Sequence, residues 1–164
     1  MTTLILGIGN PILGDDGAGI RVIQDLRESG LFADNKEVDL KEIATGGIPL
    51  VEFMLDYDHV VLIDALEGLE PGEVRELDPT SLDQHVNGSG VHDLDFRTSL
   101  ELLQSVCPDR MPGLEDITIF GIGIGENTEF SEELSPPVER GVEEAVDRIR
   151  AKYGSRVEED NGFK

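Results

Sequence analysis

The sequence predicts a single three-layer α/β domain, with a mostly parallel twisted sheet flanked by helices. Three observations carry that reading. Apolar strand patterns alternate with helical ones at least four times along 164 residues, the ordering expected of parallel β-α-β construction. The run HVVLIDA over 59–65 carries four consecutive branched or leucine side chains, Val60 to Ile63, as a strand covered on both faces should. The first apolar run, LILGIG, breaks at glycines directly into a helical pattern, so that strand, turn and helix follow in succession.

Taken in order, the first strand spans Leu4 to Leu6 with its neighbours and ends at Gly7. The helix after it spans residues 17–29, with Ile20, Ile23 and Leu26 at helical spacing and Gly30 closing it. EVDLKEIA over 37–44 predicts the second strand, and PLVEFMLD a short helix begun by Pro49 after the Gly46 and Gly47 pair. HVVLIDA is the central strand. PGEVRELDP over 71–79 is bounded by turn formers and alternates Val74 with Glu73 and Arg75, which suggests a short strand near an edge.

Leu94, Leu100, Leu103 and Val106 mark a third helix, preceded or opened by a polar stretch containing His92 and Asp93. DITIFGIG over 116–123 is a further interior strand. From Ser135, a helix-capping residue type, Val138, Val142, Ala145, Val146 and Ile149 form a long apolar stripe. Residues 1–153 therefore constitute one domain, of a size that buries about two-thirds of its extended surface. Residues 154–164, GSRVEEDNGFK, lack periodicity and are expected to be a flexible acidic tail.

Thirty-five acidic against 13 basic residues give a formal charge of −22. Such a field repels phosphate backbones and anionic leaflets, so neither nucleic acid nor membrane is an expected partner; a cation or a protein is. Solubility or high-salt adaptation accounts for the same composition. The single cysteine, Cys107, excludes an intramolecular disulfide and a cysteine metal cluster. The start MTTLILGIG has no secretory-signal pattern, and no apolar run approaches the roughly 18 residues of a membrane span, so a cytoplasmic location is expected.

In open parallel sheets the loops at the carboxyl ends of the strands carry function. The loop after the first strand reads GNPILGDDGAG. A dinucleotide site wants G-x-G-x-x-G with a pyrophosphate on the helix start, but the third glycine is missing after Gly7 and Gly9, and Asp15 and Asp16 stand where phosphate would sit. Either acid can satisfy free donors at a helix start, which leaves the other to face the groove above the sheet. Asp64, which begins the loop after HVVLI, is either a cap or a site residue. His92, in a Gly-Ser-Gly-containing stretch, is the third candidate, and Glu126 either lines the rim or is plain surface. Two carboxylates and an imidazole suit a borderline divalent ion such as zinc or nickel and leave positions open for external ligands.

LILGIGNPILGDDGAG, the glycine pair of ATGGIP, HVVLIDAL, PGEVRELDP, the histidine of GSGVHDLDFRTSLELL, and ITIFGIGI followed by LSPPVERGVEEAV together resemble the [NiFe]-hydrogenase maturation endopeptidases over about residues 2–150. The resemblance implies an aspartyl-type, metal-dependent endopeptidase whose Asp16, Asp64 and His92 serve as metal-binding and catalytic residues. It implies as substrate the immature [NiFe]-hydrogenase large subunit, carrying nickel, cut so as to release its carboxyl-terminal extension. Nickel would arrive with that precursor and need not be retained by the free enzyme. Two positions depart from the family pattern: Thr45 where many relatives have Asp before the glycine pair, and GIGENTEF in place of a proline-containing segment common in some relatives. Two alternatives stand beside this reading. One is a non-proteolytic, nickel-dependent maturation or binding module. The other is a peptidyl-tRNA hydrolase, which shares the Gly-x-Gly and Asn-Pro opening but is disfavoured by GDDG and by the negative charge.

Overall fold

The computed structural model describes residues 1–79, 91–126 and 129–154, and for 91–95 the backbone alone. Its strands are β1 (Thr3–Ile8), β2 (Val38–Ile43), β3 (His59–Leu66), β4 (Val74–Leu77) and β5 (Ile117–Gly123). Its helices are α1 (Ala18–Ser29), α2 (Gly47–Glu52), α3 (Val91–Val106) and α4 (Pro136–Tyr153), with short 3-10 turns at Gly14–Gly17 and Leu114–Asp116. The five strands lie in the order β2-β1-β3-β5-β4. β1 pairs in parallel with β2 and β3, β3 in parallel with β5, and only β4 runs antiparallel, at the edge.

Side-chain alternation sorts the central strands onto two cores. Leu4 and Leu6 of β1, Val60 and Leu62 of β3, and Ile117 and Ile119 of β5 pack with Leu50 and Val51 of α2 and Phe96 and Leu100 of α3. On the other face Ile5, Val61, Ile63, Phe120 and Ile122 meet Val22, Ile23 and Leu26 of α1 and the Val138, Val142, Ala145, Val146 and Ile149 stripe of α4. This double coverage explains why HVVLI lacks a polar face. The predicted three-layer, mostly parallel domain is the observed one.

Two local expectations change, and one left open is settled. α2 begins at Gly47, with Gly46 as its N-cap, so Pro49 is the third helical residue; a proline anywhere in the first turn forfeits no helical hydrogen bond. α3 includes Val91, so the stretch with His92 and Asp93 opens the helix, one of the two arrangements the sequence allowed. Ser135 occupies the N-cap of α4, yet its side chain makes no bond to its own helix. Of the expected tail, 154–164, Gly154 is described and residues 155–164 lie outside the described residues. Among the described residues no helix is long and apolar enough to cross a membrane.

Candidate functional site

β1 reaches the carboxyl edge of the sheet at Ile8, and the chain then folds tightly on itself. The Asn10 backbone N–H donates to Asp16 Oδ2 at 2.9 Å, and that of Ile12 to Asn10 Oδ1 at 3.2 Å. The N–H groups of Leu13, Gly14 and Asp16 go to the carbonyls of Asn10, Ser131 and Leu13, at 3.1, 2.7 and 3.2 Å. A phosphate cradle needs such donors free to converge on an anion. Here they are spent inside the loop or on residue 131. The glycines serve close backbone approach instead: a Cβ on Gly19 would stand 2.3 Å from the Ile63 carbonyl oxygen and 2.6 Å from that of Ile8, so α1 starts directly against the ends of β1 and β3.

The two adjacent acids divide as the sequence suggests, but with a different helix involved. Asp15 Oδ1 accepts the Ser135 backbone N–H at 2.7 Å and Oδ2 accepts the Ser135 hydroxyl at 2.8 Å. It thus satisfies a donor at the start of α4, 120 residues away, and not at the start of α1. A carboxylate there is also favoured by the helix dipole. Asp16 is half-buried. With Oδ2 engaged by Asn10, its position is fixed while Oδ1 has capacity for an external cation.

Asp64 does not begin a loop. It is the sixth residue of the eight-residue β3, one step beyond Ile63, where the pairing with β1 stops, and it still pairs with Gly121 of β5. Val60, Leu62 and Leu66 face α2 and α3, so alternation places half-buried Asp64 on that same face, at the carboxyl edge. The 3-10 turn bearing Asp16 packs against β3.

His92 is the second residue of α3; its side chain lies outside the described residues. The backbone direction is informative all the same. Beyond the carboxyl end of α3, the Arg110 carbonyl accepts the Asp56 N–H at 2.8 Å, next to the start of β3. The helix therefore runs from the carboxyl side of the sheet toward the amino edge, over the face that Asp64 occupies. Among the described residues no three His, Cys, Asp or Glu side chains gather as a metal shell; Asp16 and Asp64 are the two described members of the expected set. Glu126 is exposed. Cys107 donates to the Leu103 carbonyl at 3.2 Å and packs against the α2 and α3 core, which accounts for its presence without chemistry.

A family model described as hydrogenase maturation protease matches residues 20–152, most of the chain. The chain belongs to the hydrogenase maturation protease family. The match includes Asp64 and His92 and begins just after Asp16. Its relatives include the hydrogenase 2 maturation protease of Escherichia coli K12, 27% identical over 154 residues that cover 92% of this chain and 90% of that protein. The hydrogenase expression/formation protein HupD of Rhizobium leguminosarum bv. viciae is 36% identical over 73 residues, 44% of this chain and 35% of that one. Among solved structures, the [NiFe] hydrogenase maturation protease HybD from Thermococcus kodakarensis superposes with a TM-score of 0.70 at 28% identity, covering 92% of this chain and 98% of that one. As a member of the maturation protease family the chain is an endopeptidase, and the peptidyl-tRNA hydrolase alternative falls away.

The contribution of Ser131 and Ser135 to the placement of the acidic loop was not legible in the sequence. Ser131 and Ser135 hold the acidic loop through bonds that span more than a hundred residues. No local spacing announces such bonds.

Proposed function

We propose that this endopeptidase removes the carboxyl-terminal extension of a nickel-loaded [NiFe]-hydrogenase large-subunit precursor, and that Asp16, Asp64 and His92 bind the nickel the precursor presents. The observation that carries this reading is the state of Asp16. A half-buried carboxylate at the carboxyl edge of β1 is held by the Asn10 N–H through one oxygen, which leaves the other for a cation. Asp64 at the adjacent end of β3 and the start of α3 with His92 on the same side of the sheet support it. Oxygen and imidazole donors suit a borderline ion, and an incomplete shell suits one that arrives with ligands of its own.

Nickel belongs to the substrate; held there, it would orient the tail and withdraw electron density from the reacting group. The chain's part is placement: the fixed Asp16 loop and β3 set the scissile bond against the acids, so that the entropy of alignment is lost on binding. Hydrolysis adds water across the peptide bond, with OH going to the carbonyl carbon and H to the departing amine. A carboxylate of this pair is suited to carry that proton. The setting is the cytoplasm, where an immature subunit is met before assembly; nucleic acid and membrane have no part, in keeping with the net charge of −22.

The test is incubation with purified precursor followed by intact-mass measurement. Release of the tail supports the proposal. A precursor that binds but keeps its tail would contradict this choice of substrate.

A further inference from the structure

The loop carrying Asp16 is closed locally by its own backbone bonds, but its position relative to the rest of the domain is set by long-range ones. Gly14 N–H donates to the Ser131 carbonyl at 2.7 Å, and Ser131 N–H to the Ile12 carbonyl at 2.9 Å. Asp15 receives both the N–H and the hydroxyl of Ser135. All these ties lead to the segment entering α4, and α4 is seated on the sheet by Val138, Val142, Ala145 and Ile149, each buried. Of them, only the Asp15 tie uses side-chain atoms of the loop, and it starts one residue from Asp16.

We propose that Asp15 is a positioning residue for the cut: through its paired bonds to Ser135 it locks the acidic loop to the start of α4 and thereby fixes where Asp16 meets the metal-bearing substrate. The inference rests on Asp16 being the contacting acid. It assigns no contact with metal or substrate to Asp15. It also explains why Ser135, at an N-cap position, turns its hydroxyl away from its own helix: the hydroxyl serves the loop.

The geometry makes a discriminating test available. An asparagine at position 15 can still accept the Ser135 N–H through Oδ1 and donate through Nδ2 to the Ser135 hydroxyl oxygen, whereas alanine can do neither. The Asn10 amide, bonded to Asp16 Oδ2, reports the placement of Asp16 through its hydrogen exchange, independently of catalysis. In Asp15→Ala we expect Asn10 exchange to accelerate by roughly tenfold or more, with core amides of β1 and α4 unchanged, and kcat/KM for tail release to fall by about 100-fold, the cost of a displaced reacting group. Asp15→Asn should restore Asn10 protection and bring kcat/KM to within about threefold of wild type.

An Asp15→Asn enzyme as inactive as Asp15→Ala despite a protected Asn10 amide would show that Asp15 acts directly, and would overturn the proposal. So would an Asp15→Ala protein with unaltered Asn10 exchange. Should Asp15→Ala fail to fold, Ser135→Ala removes the hydroxyl bond alone and must raise Asn10 exchange in the same direction; no change would again overturn it. If the wild-type protein cuts no precursor, the functional reading fails while the exchange measurement still decides the positioning role.

Discussion

Gly9 faces Asp16 so closely that a Cβ on Gly9 would stand 2.1 Å from the Asp16 carbonyl oxygen, and Gly9 itself sits at φ +155°. Both facts forbid a side chain: the neighbour is backbone and cannot swing away, and the conformation is one that L residues rarely adopt. Gly9→Ala should therefore destabilise the fold by at least ~2 kcal/mol and displace the acidic loop. Thermal unfolding together with Asn10 amide exchange checks this; an unshifted melting curve would mean that the loop relaxes freely.

Asp16→Asn separates folding from chemistry. The amide oxygen keeps the bond from the Asn10 N–H, so the melting temperature should stay close to wild type, while the lost charge weakens metal ligation and tail release falls by about 100-fold or more. Asp64→Asn and His92→Gln should show the same selective loss. Normal cleavage by a folded Asp16 variant would remove Asp16 from the site.

The α/β architecture was legible because its signal is local: HVVLI has no polar face, and the α4 stripe repeats at helical spacing. The role of Asp15 was half legible. An acid beside a helix start needs donors, but which helix supplies them is a tertiary fact, settled by Ser135 120 residues away. Asp64 was expected in a loop because apolarity stops there. The strand continues through it because backbone pairing with Gly121 of β5 does not depend on the side chain. The start of α3 stayed open between two arrangements because the helical pattern is carried by Leu94 and the apolar residues after it, and the structure shows that the polar His92 and Asp93 open the helix.

At the amino edge, Asp56 sits at φ 69° and accepts the Arg110 Nε and Nη2 groups at 2.9 and 2.7 Å. The hydrogen bond from Arg110, aided by its charge, holds the Asp56 carboxyl below its ordinary value of 3.8. The folded state therefore binds fewer protons here than the unfolded state, and the pair's contribution is present above that value and lost as pH falls through the lowered one. Asp56→Asn, which tolerates the left-handed backbone, should lower the urea midpoint modestly at neutral pH, as befits an exposed pair. The difference from wild type should shrink as pH falls below 3.8 and vanish once it is below the lowered folded-state value. A difference that persists there would assign it to something other than the ion pair.

Gly72 ties the edge strand to α4. It sits at φ 88°, and a Cβ there would stand 2.2 Å from the Pro137 carbonyl oxygen in the first turn of that helix. Gly72→Ala should push the start of α4 outward, destabilise the protein by about 1–3 kcal/mol, and, because the same helix start braces Asp15, lower tail release as well. Denaturant titration and a cleavage assay on the folded fraction measure the two effects. Unimpaired release per folded molecule would uncouple the start of α4 from the acidic loop.

Whether Asp16, Asp64 and His92 read a nickel ion carried by the precursor is tested most directly by comparing one precursor in two states. Large-subunit precursor prepared with and without nickel is incubated with the enzyme, and the released carboxyl-terminal peptide is followed by mass spectrometry. The nickel-loaded form should release its tail, with the nickel-free form left intact over the same period. Equal rates from both forms would contradict it.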